Sequence, residues 1–510
     1  MPSNLTRNIA ANGLGRLWAV LANVIFVPLY IRLLGSESYG LVVAYATLVA
    51  SIQVLDVGLS SMLSRELALR VGGSKESLRF SGSARDLART VEIASIVIGI
   101  MIGTTVVGLA PIIAQKWLVT QHLSPADTVS AVRLIGLIVA VQWPGIAYQS
   151  GLLGLQSQVK LNAIRIATSS IQSLGAAFVL WKISPTINAY FVWLLVIQLA
   201  GTLTLRSAMW RSLRSDERAR PRFRFSLILA PWRFSLGVAG IALLSSALTQ
   251  SDKIILSKIV PLSEFATYGV AFTVCNVLSL IAGPVYLAAL PQLTALSLLA
   301  DDSKMRELYF RSSELVALLV FPAWMILAFH SQEIAAIWLG KGVKSLAVAK
   351  LLPLLSAGSL ANAIDTMPYG LQIASAWTSL SVIKNIVAVS IVVPALFFAV
   401  RHFGMIGAAA IWAALNVGYL IFEIPIMHRR LLKHALASWY SRSLALPIVC
   451  TAAIGALTHS FAVPTDDRLL GLAILVAYAS LATLSLAMLM PSIRHSIMLL
   501  LSKKFGHASS

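Results

Sequence analysis

Apolar runs of spanning length recur along this chain from residue 14 to residue 490, each closed by a short polar joint. About 20 apolar residues of helix cross a bilayer's hydrocarbon core, and only helices or closed barrels satisfy the backbone amides there. Barrel strands are about ten residues long and alternate apolar with polar; these runs do neither. They fall near 14–34, 41–63, 91–112, 128–153, 161–182, 187–208, 232–258, 267–290, 312–330, 346–370, 377–400, 404–427, 443–463 and 469–490. The expected fold is an all-α membrane protein of about 14 transmembrane helices. Composition agrees: only 12% of the 510 residues are charged, against about one quarter in soluble domains, too few to cover a soluble core of this size.

Arg7 and Arg16 precede the first run as they would in a secretory leader. That run, Leu17 to Leu34, is too long for a leader's apolar core and has no small-residue cleavage site, so it reads as a retained first helix. Cys275 and Cys450 both sit in apolar runs, with no CxxC, Cys/His cluster or disulfide framework. No metal ligands and no cofactor are expected.

A net charge of +20 on a soluble protein would suggest nucleic acid; here its distribution excludes that partner. With the N-terminus inside, 27 of the 40 Lys and Arg lie on inner tails and loops and 11 at outer ends, Arg233 and Lys384 completing the count near inner helix ends. The positive-inside rule then places both termini in the cytoplasm. The densest basic stretch, Arg206 to Arg224, is a topology-setting loop that could also meet anionic lipid headgroups. It divides the chain into an N-lobe of helices 1–6 (1–208), a cytoplasmic basic linker (209–231), and a C-lobe of helices 7–12 (232–427). Helices 13–14 and a cytoplasmic tail (428–510) follow.

The lobes open alike. Leu33-Leu34-Gly35-Ser36-Glu37-Ser38-Tyr39-Gly40-Leu41 joins helices one and two, and Leu262-Ser263-Glu264-Phe265-Ala266-Thr267-Tyr268-Gly269-Val270 joins helices seven and eight. Both carry Ser-Glu and then Tyr-Gly, with Arg32 or Lys258 shortly before. Six helices per lobe bring both lobes in from one side, a parallel pseudo-twofold repeat of the kind found in transporters.

The Leu33–Leu41 segment is followed by Leu55-Asp56-Val57-Gly58-Leu59 and Ser64-Arg65-Glu66-Leu67. Together these resemble the Wzx-type polysaccharide transporter, or O-antigen flippase, family of the multidrug/oligosaccharidyl-lipid/polysaccharide exporter superfamily. The Asp252-Lys253 pair looks like that family's second-lobe opening; Val260-Pro261-Leu262 departs from it where Leu-Leu-Gly would stand. The resemblance implies a flippase in a bacterial inner membrane, moving undecaprenyl-diphosphate-linked oligosaccharide from the inner to the outer leaflet by alternating access. The product would feed O-antigen or exopolysaccharide synthesis, with a polysaccharide polymerase and chain-length regulator as further partners.

Ionisable residues inside spanning helices are costly and usually face a cavity or a partner. Six stand out: Asp56, Asp252, Lys253, Asp365, Lys384 and Glu423. Lys253 and Lys384 are candidates to bind the diphosphate, with Arg16, Arg32 and Arg65 as alternatives at helix ends. Asp56, Asp252, Asp365 and Glu423 are candidates to couple transport to H⁺ or Na⁺. Asp56 and Asp365 also lie close enough to the inner surface to be solvated helix ends. Asp252 and Lys253, as sequence neighbours, point apart on a helix and are not expected to pair. Pro28, Pro144, Pro284, Pro322, Pro353 and Pro394 permit bends, and Gly99-x-x-x-Gly103 fits close helix packing.

Other functions are weighed against this one. A polytopic polymerase or ligase would need a large outer loop with catalytic residues; the outer connections 113–127 and 331–345 are short, and His122 with Asp127 is a weak pair. No catalytic residues are assigned, and the chain is not expected to be an enzyme. A multidrug/cation antiporter of the same superfamily would favour an acidic, aromatic pocket and usually twelve helices. A lipid II flippase shares the helix count and the lipid carrier.

Overall fold

The computed structural model describes residues 18, 22, 24–53, 56–71, 83–213, 221–229, 232–461 and 467–494. Everything regular in them is helical. In chain order the helices are α1 (Val24–Leu34), then α2 (Ser36–Gln53), α3 (Val57–Val71), α4 (Ala84–Ile112), α5 (Pro125–Gly154), α6 (Gln158–Phe178) and α7 (Ile187–Ser212). The short α8 (Ser226–Leu229) leads to α9 (Trp232–Ile259), α10 (Leu262–Cys275), α11 (Val277–Leu298), α12 (Asp302–Phe329) and α13 (Ser331–Leu339). Last come α14 (Val343–Ala374), α15 (Ser379–Gly418), α16 (Ile424–Leu431), α17 (Leu436–Tyr440), α18 (Leu446–Ser460) and α19 (Arg468–Leu489). Among the described residues ten helices are long and apolar enough to cross a membrane, or eleven counting one bent pair. Ile100, Leu174, Trp181, Val196, Ile391, Phe422 and Leu484 are all more than half exposed. So much greasy surface is tolerable in lipid but not in water.

The polar joints act as helix caps. Ser83, Ser124, Thr186, Asp301 and Asp467 each accept a hydrogen bond from a backbone N–H in the first turn they precede, satisfying donors that a helix leaves unpaired. Between α1 and α2 the joint shrinks to Gly35, whose φ of +82° suits a residue without a Cβ. The joint expected over Leu33–Leu41 is therefore shorter than its motif: Ser36, Glu37, Tyr39 and Gly40 already lie in α2. Ser263 and Glu264 likewise open α10.

Three expected spans take a different form. The run 41–63 is not one straight helix, because α2 and the 58–69 part of α3 meet at 59°. The runs 377–400 and 404–427 lie in one helical stretch, Ser379–Leu431, broken at Gly404 (φ +55°, ψ −135°). At 1.5 Å per residue an unbroken helix of that length would reach about 80 Å, far more than one bilayer, so the break at glycine divides it.

The chain forms two compact units, Met1–Ala266 and Thr267–Ser510. In the first, α5 packs against α3, α4, α6 and α7, and α9 packs against α2 and α3. Its core includes Leu63, Leu67, Val91, Tyr148, Leu152 and Met209. The Gly99/Gly103 pair behaves as expected. A Cβ on Gly99 would lie 2.8 Å from the Ala140 carbonyl oxygen, and one on Gly103 would lie 2.7 Å from that of Gly136, so α4 and α5 touch backbone to backbone. In the second unit α14 packs against α11, α12, α13 and α15, and α12 also holds α18 and α19.

Candidate functional site

In the second unit α14, α15 and the π-helical turn Tyr419–Glu423 that follows α15 bring three charges together. Lys384 Nζ contacts the Glu423 carboxylate and lies 3.6 Å from Asp365 Oδ2. Gln372 Nε2 donates to Glu423 Oε1 at 2.7 Å, and Ser381 Oγ donates to Gln372 Oε1 at 3.1 Å. The Tyr419 ring lies 4.3 Å from the ammonium. One cation thus faces two carboxylates, a formal charge of −1, in side chains no more than 14% exposed. Asp365 Oδ1 is buried with no hydrogen-bond partner among the described residues. Beside this cluster an apolar cavity of about 470 Å³ is lined by Ile383, Val387, Ile391, Tyr419, Phe422 and others, with Lys384 and Glu423 at its wall.

In the first unit Asp252 and Lys253 do pair, against the expectation from their adjacency. Lys253 Nζ lies 3.2 Å from both Asp252 oxygens and also donates to the Thr249 carbonyl at 3.1 Å. Neighbouring Cβ atoms diverge, but the four-carbon lysine stem is long enough to fold back, and a buried ammonium has few other acceptors.

Asp56 is not a solvated helix end. It is 1% exposed, at the junction of α2 and α3 and hence near the middle of that helix pair, and it accepts from the Ser60 hydroxyl. Its Oδ1 has no hydrogen-bond partner among the described residues. Asp365 is not solvated either, at 6% exposed. Arg32 and Arg65 are exposed, and Arg16 lies outside the described residues. His122 and Asp127 do not form a pair: the His122 backbone N–H serves Glu37, and Asp127 accepts from Ser124.

The repeat motif has a structural use in the first unit. Glu37 accepts backbone N–H groups of Gln121 at 2.5 Å and His122 at 2.9 Å. Gly40 lies against the Leu262 backbone, and Leu262 N in turn donates to Val119 O at 3.0 Å. Trp117 Nε1 donates to Ser257 Oγ at 3.0 Å, and Lys258 stands over the Trp117 ring. Glutamate and glycine here tie the start of α2 to the segment after α4 and to the joint between α9 and α10.

A further buried acid, Glu92, is not among the candidates drawn from the sequence. It accepts from Arg89 (2.8 Å), Arg206 (2.7 Å), Tyr148 (2.9 Å) and Trp210 (3.2 Å), joining α4, α5 and α7. Its one sequence signal is an acid at the edge of the apolar run beginning at 91; its partners lie up to 118 residues away.

The chain matches the family model for polysaccharide biosynthesis proteins over residues 29–347. No curated protein sequence matches it. Its structure resembles the lipid II flippase MurJ in an inward closed conformation, 12% identical, with a TM-score of 0.69 over 95% of this chain and 98% of that one. It also resembles an inward-facing multidrug resistance MATE family transporter of the MOP superfamily, 14% identical, with a TM-score of 0.65 over 81% and 96%. A MOP superfamily transporter from Pyrococcus furiosus, 14% identical, matches at 0.58 over 85% and 96%. At such identities the likeness establishes the fold alone, while the family match covers more than half of the chain. The chain is thus a multi-pass membrane protein with the MOP-superfamily fold, and it belongs to the polysaccharide biosynthesis protein family.

Proposed function

We propose that this protein is a flippase that carries undecaprenyl-diphosphate-linked oligosaccharide from the inner to the outer leaflet of a bacterial inner membrane, for O-antigen or exopolysaccharide synthesis. The observation that carries the reading is the polysaccharide biosynthesis match over residues 29–347 on a chain with a transporter fold. The proposed architecture has fourteen spans, as two six-helix lobes (1–208 and 232–427) joined by the basic linker 209–231. Helices 13–14 and the tail (428–510) complete it, with both termini cytoplasmic; the 27-to-11 division of Lys and Arg supports that orientation.

Lys253 and Lys384 are the proposed diphosphate ligands, with Arg16, Arg32 and Arg65 as alternatives. Both lysines are engaged with carboxylates, so a phosphate must displace a carboxylate to reach either. Charge-assisted hydrogen bonds to phosphate are strong enough to compete. The displaced Asp252, Asp365 or Glu423 then becomes available to bind H⁺ or Na⁺. Substrate loading and ion uptake would be coupled in this way, because a bare carboxylate is costly in a low-dielectric interior. Asp56, with its unpartnered oxygen, is a second place for the ion.

The test is the sidedness of lipid-linked sugar. In a strain lacking this protein and any redundant flippase, radiolabelled oligosaccharide should remain inaccessible from the outer face. Normal delivery there would overturn the proposal. Lys253→Ala should express yet lose most transport, and Lys253→Arg should keep part of it; full activity in Lys253→Ala, Lys384→Ala and the double variant would remove both lysines from the site. The match to the lipid II flippase over nearly the whole chain favours a second reading, lipid II itself. Complementation of a strain depleted of its own lipid II flippase separates the two: growth would favour lipid II, and failure to grow with restored polysaccharide would favour the oligosaccharide.

A further inference from the structure

His330 ends α12 and precedes α13, Glu333 lies in the first turn of α13, and His459 lies near the end of α18. Nothing in the sequence links them, since His459 is remote from the other two. In the second unit each offers one ligand atom, and those atoms all lie within 4.8 Å of one another. His330 Nδ1 is 4.0 Å from Glu333 Oε1, and the two imidazole centroids are 5.8 Å apart.

The hydrogen bonds around His330 decide which of its nitrogens is free. Thr458 Oγ1 directs its single proton to the helix carbonyls of Ile454 at 2.8 Å and Gly455 at 3.2 Å. It therefore accepts from His330 Nε2, 3.0 Å away, which puts the ring proton on Nε2. The lone pair of Nδ1 then points toward the Glu333 carboxylate. Two electron-rich atoms 4.0 Å apart call for a proton on Nδ1 or a metal cation between them, and the separation is too long for a direct hydrogen bond. A second observation agrees: Glu333 Oε2 is buried with no hydrogen-bond partner among the described residues. His330 itself is 1% exposed, held between the Tyr478 ring, 5.2 Å away, and Thr458.

We propose that His330, Glu333 and His459 form a binding site for a borderline divalent transition metal, with Zn²⁺ the best fit. Two imidazoles and one carboxylate with a further position open to water make a recognised zinc ligand set. Zinc–nitrogen and zinc–oxygen bonds of about 2.0–2.2 Å require ligand atoms about 3.4 Å apart in a tetrahedron. His459, exposed at its helix end, has the freedom to close the remaining gap. Thr458 supplies the outer hydrogen bond that fixes the ring and its tautomer. Hard cations such as Mg²⁺, which prefer all-oxygen sites, do not suit it. A bound ion would fasten α18 to the α12–α13 corner above the apolar cluster of Met325, Ile326, Leu475 and Ala482. The inference does not depend on the transport reading.

The experiment is metal binding by the full chain, purified in detergent without a histidine tag and stripped with chelator. Co²⁺ serves as the spectroscopic probe and Zn²⁺ as competitor. One equivalent of Co²⁺ should give visible ligand-field absorption that Zn²⁺ abolishes, and Zn²⁺ should raise Tm. His459→Ala and Glu333→Gln, both away from the sealed core, should lose the one-equivalent signal. Thr458→Val should keep it with about 10-fold weaker affinity, as expected when an outer-shell partner is removed. The proposal is overturned if the wild-type chain shows no saturable Co²⁺ signal, or if His459→Ala and Glu333→Gln bind as well as wild type.

Discussion

Replacing Lys384 with methionine keeps the length of the side chain and removes only the charge that separates Asp365 from Glu423. Both carboxylates are largely buried, at 9% and 2% side-chain exposure, and would face each other without a counter-ion. Breaking a buried pair from one side costs about 3–5 kcal/mol, because the remaining charge is left uncompensated. The Gln372 amide still donates to Glu423, which argues for the lower half of that range. Glu423→Gln alone should be mild, about 1 kcal/mol or less. Lys384 keeps Asp365, and the cluster's excess negative charge disappears. The double variant Lys384→Met/Glu423→Gln should then recover roughly 2 kcal/mol of the loss, the size of coupling seen between residues in one network. A thiol-reactive dye can read unfolding in detergent, since Cys275 is buried and Cys450 half-buried. For a unit of this size 1 kcal/mol moves Tm by about 2–4 °C, so Lys384→Met should melt roughly 6–16 °C lower. If it melts with wild type, or if the double variant melts no higher than Lys384→Met, the three groups do not form a charge-compensated cluster.

Gly40→Val should lower Tm by several degrees and disturb the α2 start, because the added atoms meet the Leu262 backbone; an unchanged melt would mean that α2 and the α9–α10 joint do not touch there. Glu92→Gln should cost about 2–3 kcal/mol, since it weakens bonds from two arginines at once, and Arg206→Ala should cost at least about 0.5 kcal/mol more beside wild-type Glu92 than in the Glu92→Gln background; a double-mutant cycle with no coupling would refute the pairing. Reporter fusions after Glu37, Lys182, Leu262 and Lys341 should read as outside, and fusions within 206–224 and at the C-terminus as inside; an outside signal from the basic loop would refute the two-lobe topology.

Burial of intramembrane charge illustrates how far sequence reasoning reaches. Asp365, Lys384 and Glu423 were each conspicuous in the sequence as an ion in an apolar run, because the cost of charge in lipid is a property of a single residue. Which of them meet is not such a property. It depends on how α14 packs against α15 and on the π-helical turn that places Glu423. Asp56 shows the same limit. Hydropathy left it open whether Asp56 is a solvated helix end, whereas packing at the junction of α2 and α3 leaves it only 1% exposed.

By itself the sequence determined the helical membrane class and the approximate positions of most helices among the described residues. Hydropathy over twenty residues and the sign of the flanking charge are local quantities, and the bilayer imposes them helix by helix. Tertiary structure alone decided the partners. It folded Lys253 back onto its neighbour Asp252, set Gly40 against Leu262, gathered four donors around Glu92, and brought His459 to His330 and Glu333. Each of those contacts joins residues through side-chain reach or helix packing, and neither is written in the spacing of residues along one chain.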